Sequence, residues 1–385
     1  MRSLCAWIGL ALLVACTGDP GTHARSDWTE LPNHHARCFR IFARGDERKV
    51  IVFGSGGADD TIAVHLTGTT KHRDGSDAIP VPPLARIAVL STTHLPFISA
   101  LDRTDRVMAA TDLERIRDVA TKQRISQGEI REIATADGID REQLLLAEVQ
   151  VVFDYPFGQA THRATSPDQL FIPVTEYLEE HPLGRAEWIR FFGVVLDAEE
   201  RADSMYAAIE GRYNSVAARA ENLTTRPSVL FGSAWQGQWH VPAGNSYMAH
   251  LIEGAGGRYL FADRLGTGNI PLDMETMVSQ GSQADVWGMI AEIDGVPSEL
   301  DFTGGDDRLA GFKAVKEKHL FIGNSATSDL FGQALLEPDV VLSELHEVIA
   351  ISTIFDHPGG YRPRYFKHLG PDLITPRIEE LSVPQ

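Results

Sequence analysis

Cysteine is scarce in this chain of 385 residues. Of the three, Cys5 and Cys16 fall in the opening stretch and Cys38 stands alone in the body. No disulfide can therefore form within the body, and a buried cysteine at the start of a strand is the ordinary reading of Cys38. Basic blocks are missing as well. The formal net charge is −18, which argues against nucleic acid as a partner, because phosphate binding needs a basic surface. The apolar run at the amino end, from Leu4 to Ala15, is about twelve residues, too short to cross a bilayer comfortably as a helix. Signature motifs of catalysis are lacking too: no Gly-x-Ser-x-Gly elbow, no His-Glu-x-x-His, and no glycine-rich phosphate loop ending in Lys-Ser/Thr. Gly54-Ser55-Gly56-Gly57 precedes no helical pattern. The chain is expected not to be an enzyme.

What is present begins with export. Arg2, the apolar run and the small residues before Cys16 have the layout of a secretory signal. Leu13-Val14-Ala15-Cys16 resembles a bacterial lipoprotein signal, which implies cleavage before Cys16 and a diacylglycerol on its thiol. Residues 1–15 then form the signal peptide and 16–27 a polar tether. The protein is expected in the periplasm or at the cell surface, anchored to a membrane through lipid.

The body divides by texture. Residues 28–83 carry strand-like runs (Cys38 to Phe42, Lys49 to Phe53, Thr61 to Leu66) and read as a small antiparallel β extension. From 84 to 174 short apolar strands alternate with helices: Arg86 to Leu90, Val107 to Ala110 and Val149 to Asp154 are the strands. That alternation predicts a parallel sheet covered by helices, with ligand loops at the strands' carboxyl ends. Residues 175–223 are helical, with breaks expected around Pro182-Leu183-Gly184 and Asp197. A helix from about Ala198 to Ala220 would be about 35 Å long and suits a rigid strut. Residues 224–385 repeat the strand–helix alternation. The fold class is α/β: two Rossmann-like lobes joined by one long helix, with an amino-terminal β addition.

Several segments carry a family resemblance. Ala85 to His94 runs from an arginine through an apolar strand into a serine/threonine loop. Asp140 to Leu145 is a glutamate-bearing helix followed by the strand Val151-Val152-Phe153. Glu176-Tyr177-Leu178-Glu179-Glu180-His181-Pro182-Leu183-Gly184-Arg185-Ala186-Glu187-Trp188 is the sharpest match. Ala255-Gly256-Gly257, Phe261-Ala262-Asp263, Asp273-Met274-Glu275, Ala284 to Trp287, Leu336 to Leu342 and His357-Pro358 complete the order. Over about Leu84 to Gly359 the chain resembles the substrate-binding lipoproteins of bacterial ABC importers, in the class for iron-siderophore, haem and cobalamin. The extra β extension and a tryptophan-rich loop depart from that pattern. The resemblance implies a monomer of two lobes that sandwich a small-molecule metal complex, with little hinge opening, and that dock on an ABC transporter permease. Docking would use one acid on each lobe, Glu142 and Glu253, although Arg258 stands where the second acid is often found. It implies no cofactor. The bound ligand would be an iron-siderophore complex, with cobalamin or haem as alternatives; an exported enzyme or a structural lipoprotein is the reading from another class.

Candidate ligand residues follow from the loops. Thr92, Thr93 and His94 offer hydroxyls and an imidazole, and Tyr155 and Phe157 offer ring surface. Trp235, Gln236, Trp239 and His240 add large amphipathic groups suited to a flat ligand of mixed polarity. For an anionic ligand the candidate cations are Arg163, Arg185 and Arg258, of which Arg185 is better placed at a helix surface or lobe interface. Asn324 to Asp329 follows a strand and is expected near the cleft. His94, His162, His240 and His250, with Asp154 or Asp329, have no tight metal-ligand spacing, so no metal site is expected. His94 is also the candidate axial ligand to haem iron or cobalt.

Overall fold

The computed structural model describes residues 27–54, 57–66, 79–81, 86–135, 138–156, 169–266, 268–350 and 363–369. Cys16, the tether, Phe157, His162, Arg163 and His357-Pro358 lie outside the described residues.

The lobes have separate sheets. In the first lobe, Ile87–Val89, Val107–Ala110, Val151–Asp154, Leu170–Pro173 and Arg131–Glu132 pair in parallel, Val151–Asp154 lying between Leu170–Pro173 and Ile87–Val89. Ile87, Ala88, Val89, Val151, Val152 and Phe153 are all buried, as strands covered on both faces require. In the second lobe, Ser228–Phe231, Val286–Ala291 and Leu320–Asn324 form the parallel centre, with Arg258–Tyr259 at one edge. Phe366–His368 closes the other edge antiparallel.

The strut is a helix of 23 residues, Glu199–Glu221. Its buried positions are Ala202, Tyr206, Ile209, Tyr213, Val216 and Ala220, alternately four and three apart, so it buries one stripe. That stripe packs on the helix Pro182–Val195 of the first lobe and on Pro338–Ile349 of the second. Asp197, with φ of 55°, ends the helical path from Pro182–Val195 as expected. Pro182 does not break a helix but starts one: it occupies the first turn, where its missing N–H costs nothing, while the His181 imidazole accepts from Leu183 N–H.

The amino-terminal sheet runs Thr29–Leu31, Phe39–Arg44, Glu47–Gly54, Gly57–Leu66 and Ile79–Val81. It is antiparallel except for the last pair, which is parallel. It is also no loose appendage. Phe39 packs edge-on against Trp188, ring centres 4.9 Å apart, within the core of the first lobe. Two buried carboxylates grip its connecting segment through the main chain. Glu187 accepts from the N–H of His34, His35 and Ala36 at 2.7–2.8 Å. Glu179 accepts from the N–H of Arg37 and Cys38 and from the Trp188 indole at 2.8–3.1 Å. The edge strand at the other terminus is held likewise: buried Glu344 accepts from the N–H of Arg364, Tyr365 and Phe366 at 2.7–3.0 Å.

Candidate functional site

Parallel strands deliver their carboxyl-end loops to one edge of a sheet, and in open α/β lobes ligands sit there. In the first lobe these loops hold Ser91 to His94, Thr111 to Asp118, Tyr155, and Thr175 to Leu178. In the second they hold Gly232 to Val241, the stretch after Ala291, and Ser325 to Asp329. Contacts between the lobes bracket the space between them. On the strut side, the Asn245 amide donates to Glu180, the Arg185 guanidinium lies 4.3 Å from the Tyr247 ring centre, and His181 meets His250 at 5.3 Å between ring centres. On the far side, Arg117 donates from Nη2 to the carbonyls of Ser325 (2.6 Å) and Ala326 (3.1 Å). The loops after Ile87–Val89 and Val151–Asp154 lie between these two lines of contact, because their strands are central in the sheet order.

The floor on the first-lobe side is built by Thr93, Tyr155 and Glu176. Ser91 Oγ accepts from Thr93 N–H and lies 3.0 Å from Thr93 Oγ1. Thr93 Oγ1 donates to Glu176 Oε1 at 2.7 Å. Glu176 is buried, its Oε2 meets no partner, and burial pushes its carboxyl up to about 7, against the opposing pull of the Thr93 bond and the Arg185 cation. Tyr155 packs against Tyr177, ring centres 4.9 Å apart, and burial followed by the Glu176 charge raises its phenol. Arg185 donates to the carbonyls of Tyr177 (3.0 Å) and Glu179 (3.2 Å), so it serves the lobe joint. Sequence reasoning missed Glu176 and Arg117. A glutamate beside tyrosine at the head of a helical stretch has no local mark of burial, and one exposed arginine among many has no mark of a cross-lobe contact.

Some expected ligand residues need correction. His94 is wholly buried beneath the loop, with both ring nitrogens unpartnered, and burial lowers it to about 3. It faces Tyr155 and Phe192 rather than the cleft. Trp239 is also wholly buried. The loop Gly232 to Val241 folds into a hairpin, Ser233–Trp235 against Gln238–Pro242, turning at Gln236 and Gly237, both with positive φ. Period-two alternation then sends Trp239 inward, 5.4 Å from Trp287 between ring centres. Trp235, 63% exposed, stays on the outer face with His240, ring centres 5.8 Å apart, and Gln236 is exposed at the turn. Arg258 pairs with Ser228, the first residue of its neighbour strand, so it stands at the amino end of the sheet, away from the cleft. Thr92 and Thr93 are partly buried within the cleft loop.

Of the two acids expected to dock, Glu142 is exposed on the first turn of Arg141–Leu146. Glu253 is occupied internally: it accepts from Tyr259 N–H at 2.7 Å and pairs with Arg226 at 3.0 Å, fixing the return at Gly256-Gly257. Its carboxylate is therefore spent on the fold. Asn324 is buried and joins two second-lobe loops: its Oδ1 accepts from Ile293 N–H and Ala326 N–H, and its Nδ2 donates to Ile293 O. Among the described residues no group of His, Cys, Asp and Glu could hold a metal ion, and no helix is long and apolar enough to cross a membrane.

Comparison with known proteins agrees with this geometry. An uncharacterised lipoprotein of Methanocaldococcus jannaschii is 25% identical over 300 residues, 73% of this chain and 67% of that protein. Among solved structures, an ABC-type Fe3+-hydroxamate transport system protein from Saccharomonospora viridis is similar in fold, with a TM-score of 0.52 at 19% identity over 69% of this chain and 93% of that one. A Staphylococcus aureus protein complexed with heme has a TM-score of 0.53 at 15% identity, over 69% and 98%. The family model described as periplasmic binding protein matches residues 87–327. Two lobes with separate sheets, a helical strut, and ligand loops facing one another are thus the product of shared descent as well as of physics: this chain belongs to the periplasmic binding protein family.

Proposed function

We propose that this chain captures an iron complex, a siderophore or related metal chelate, outside the inner membrane and delivers it to an ABC importer. Proteins of this family bind small-molecule solutes and pass them to ABC permeases. The observation that carries the narrower reading is the cleft itself. The first-lobe loops carry hydroxyls and a phenol (Thr92, Thr93, Tyr155), and the second-lobe hairpin carries exposed Trp235 beside half-buried His240, all candidates to line it. Such walls favour a large solute with both ring surface and polar edges over a bare ion. The fold relatives described as an Fe3+-hydroxamate transport protein and as a heme complex support a metal chelate. For haem or cobalamin, half-buried His240 would replace wholly buried His94 as the candidate imidazole. Acylated Cys16 would hold the protein to the membrane, and Glu142 would meet the permease from the first lobe.

The test is native mass spectrometry and an absorption spectrum of protein purified from its own host. A retained mass with a broad visible charge-transfer band is expected for a ferric chelate, and a Soret band would move the reading to haem. No retained mass, together with no thermal shift on adding ferric trihydroxamate, ferric tris-catecholate, cyanocobalamin or haemin, would overturn the proposal.

A further inference from the structure

We propose that Arg117 is a cross-lobe clasp that holds the two lobes together beside the cleft and must let go for solute to pass. The inference rests on reading the cleft as the solute site, but not on which solute fills it.

The first observation is position. In the first-lobe sheet, Val107–Ala110, which feeds the Arg117 loop, lies on one side of the central strand Ile87–Val89. Leu170–Pro173, which feeds Glu176 and the strut-side contacts, lies on the other. In the second lobe, Leu320–Asn324, which feeds Ser325 and Ala326, is likewise displaced from Ser228–Phe231. The Arg117 contact and the Asn245–Glu180 and Arg185–Tyr247 contacts therefore stand on opposite sides of the ligand loops. The strut side is where the lobes are joined by covalent chain and packed helices. Among the described residues no chain crosses between the lobes at Arg117, so its hydrogen bonds resist opening away from the covalent joint.

The second observation is that both halves of the clasp are built. Ile116, just before Arg117, is buried, and Asp118, just after it, caps the helix Val119–Ser126 by accepting from Thr121 N–H (2.8 Å) and Thr121 Oγ1 (2.6 Å). The backbone of Arg117 is thus pinned on both sides while its side chain is exposed. The receiving loop is equally fixed. Ser325 N–H donates to Ala291 O, and Ala326 N–H donates to the buried Asn324 side chain. Thr327 and Ser328 N–H both donate to Asn324 O, and Ser328 Oγ donates to Arg364 O. With the loop's N–H groups turned inward, the Ser325 and Ala326 carbonyls point outward and converge on one guanidinium nitrogen.

The third observation is the chemistry of the bond. The acceptors are neutral carbonyls and the donor is exposed, so the bond is one that water or a solute can replace. A clasp of this kind favours the joined lobes without locking them. Arg117→Ala should leave the fold intact, because the side chain buries nothing.

Electron–electron distance measurements on spin-labelled, solute-free protein test this directly. Labels are placed at Lys122→Cys on the first lobe and Glu299→Cys on the second, in a Cys38→Ala background, with Arg117 present or replaced. With Arg117 a narrow distribution is expected. Arg117→Ala should shift and broaden it by about 2 Å or more toward longer distances, and Arg117→Lys, which retains one donor, should fall between. Superimposable distributions for Arg117 and Arg117→Ala would overturn the clasp, and so would a shift toward shorter distances. Because no solute is present, either result is independent of the chelate measurements: loss of the clasp would leave the iron-complex reading standing, and failure to bind chelate would leave the distances unchanged.

Discussion

Glu176 shows how one side chain ties the site to proton concentration. Its folded value of about 7 lies above the ordinary 4.5 because burial penalises the charge. Between those values the folded chain keeps a proton that the unfolded chain has lost. The stability this group contributes is therefore complete below about 4.5 and lost as pH rises through about 7. Glu176→Gln stays neutral and can still accept from Thr93. Its melting temperature relative to the parent should rise between about pH 5 and about pH 8, by the equivalent of about 2 kcal/mol; an unchanging difference in melts at the two pH values would refute this. His94 and His181 work in the opposite sense, being lowered to about 3 and about 4, His94 by burial, His181 by burial and then by the neighbouring charges of His35, His250 and Arg37. Both favour the folded state above their ordinary value of 6.5 and withdraw that support as pH falls toward the lowered values. None of this was legible in the sequence. Glutamate and histidine in polar stretches read as solvent-facing, and only tertiary packing shows which are enclosed.

At the scale of elements, periodicity was a good guide and side-chain destinations were not. The stripe of Ala202, Tyr206, Ile209 and Tyr213 at helical spacing marks the strut, because one helix face must be apolar to dock. The two tryptophans of the hairpin could not be told apart until Gln236 and Gly237 were known to form the turn, since a shift of one residue exchanges the faces. Arg258 was misplaced for a related reason: a sequence shows that a strand follows paired glycines, but not which end of the sheet its first residue occupies. The segment with the sharpest family resemblance, Glu176 to Trp188, proves to be a joint. Within it Glu179 and Glu187 hold the amino-terminal sheet, His181 and Arg185 meet the second lobe, and Glu176 braces the ligand loop. The strut also depends on a close approach. A β-carbon on Gly193 would stand 2.4 Å from that of Ala202, far inside contact distance. Gly193→Ala is expected to cost about 1–3 kcal/mol in urea unfolding, the penalty of overpacking. Adding Ala202→Gly should recover part of it; a neutral single variant would mean the helices slide apart freely.

Among the described residues the three five-stranded sheets share one helical frame, so the amino-terminal sheet is as much a part of the fold as the two lobes. A chain beginning at Arg86 would lose the Phe39 contact with Trp188 and strip Glu179 and Glu187 of their main-chain donors, leaving the Trp188 indole to the first and Arg190 to the second. Each buried carboxylate that loses such hydrogen bonds costs about 1–3 kcal/mol. Such a truncated chain should lose its cooperative near-ultraviolet melt and bind a hydrophobic dye; a sharp melt near that of the full chain would show the sheet to be dispensable. The same carboxylates carry a consequence for how the protein can change over generations. Glu179, Glu187 and Glu344 hold peptide N–H groups, which every residue except proline supplies. The strands they secure at both termini can accordingly accept new outward-facing side chains without loosening. Replacement of any one of the three acids, by contrast, would release a whole border of the fold.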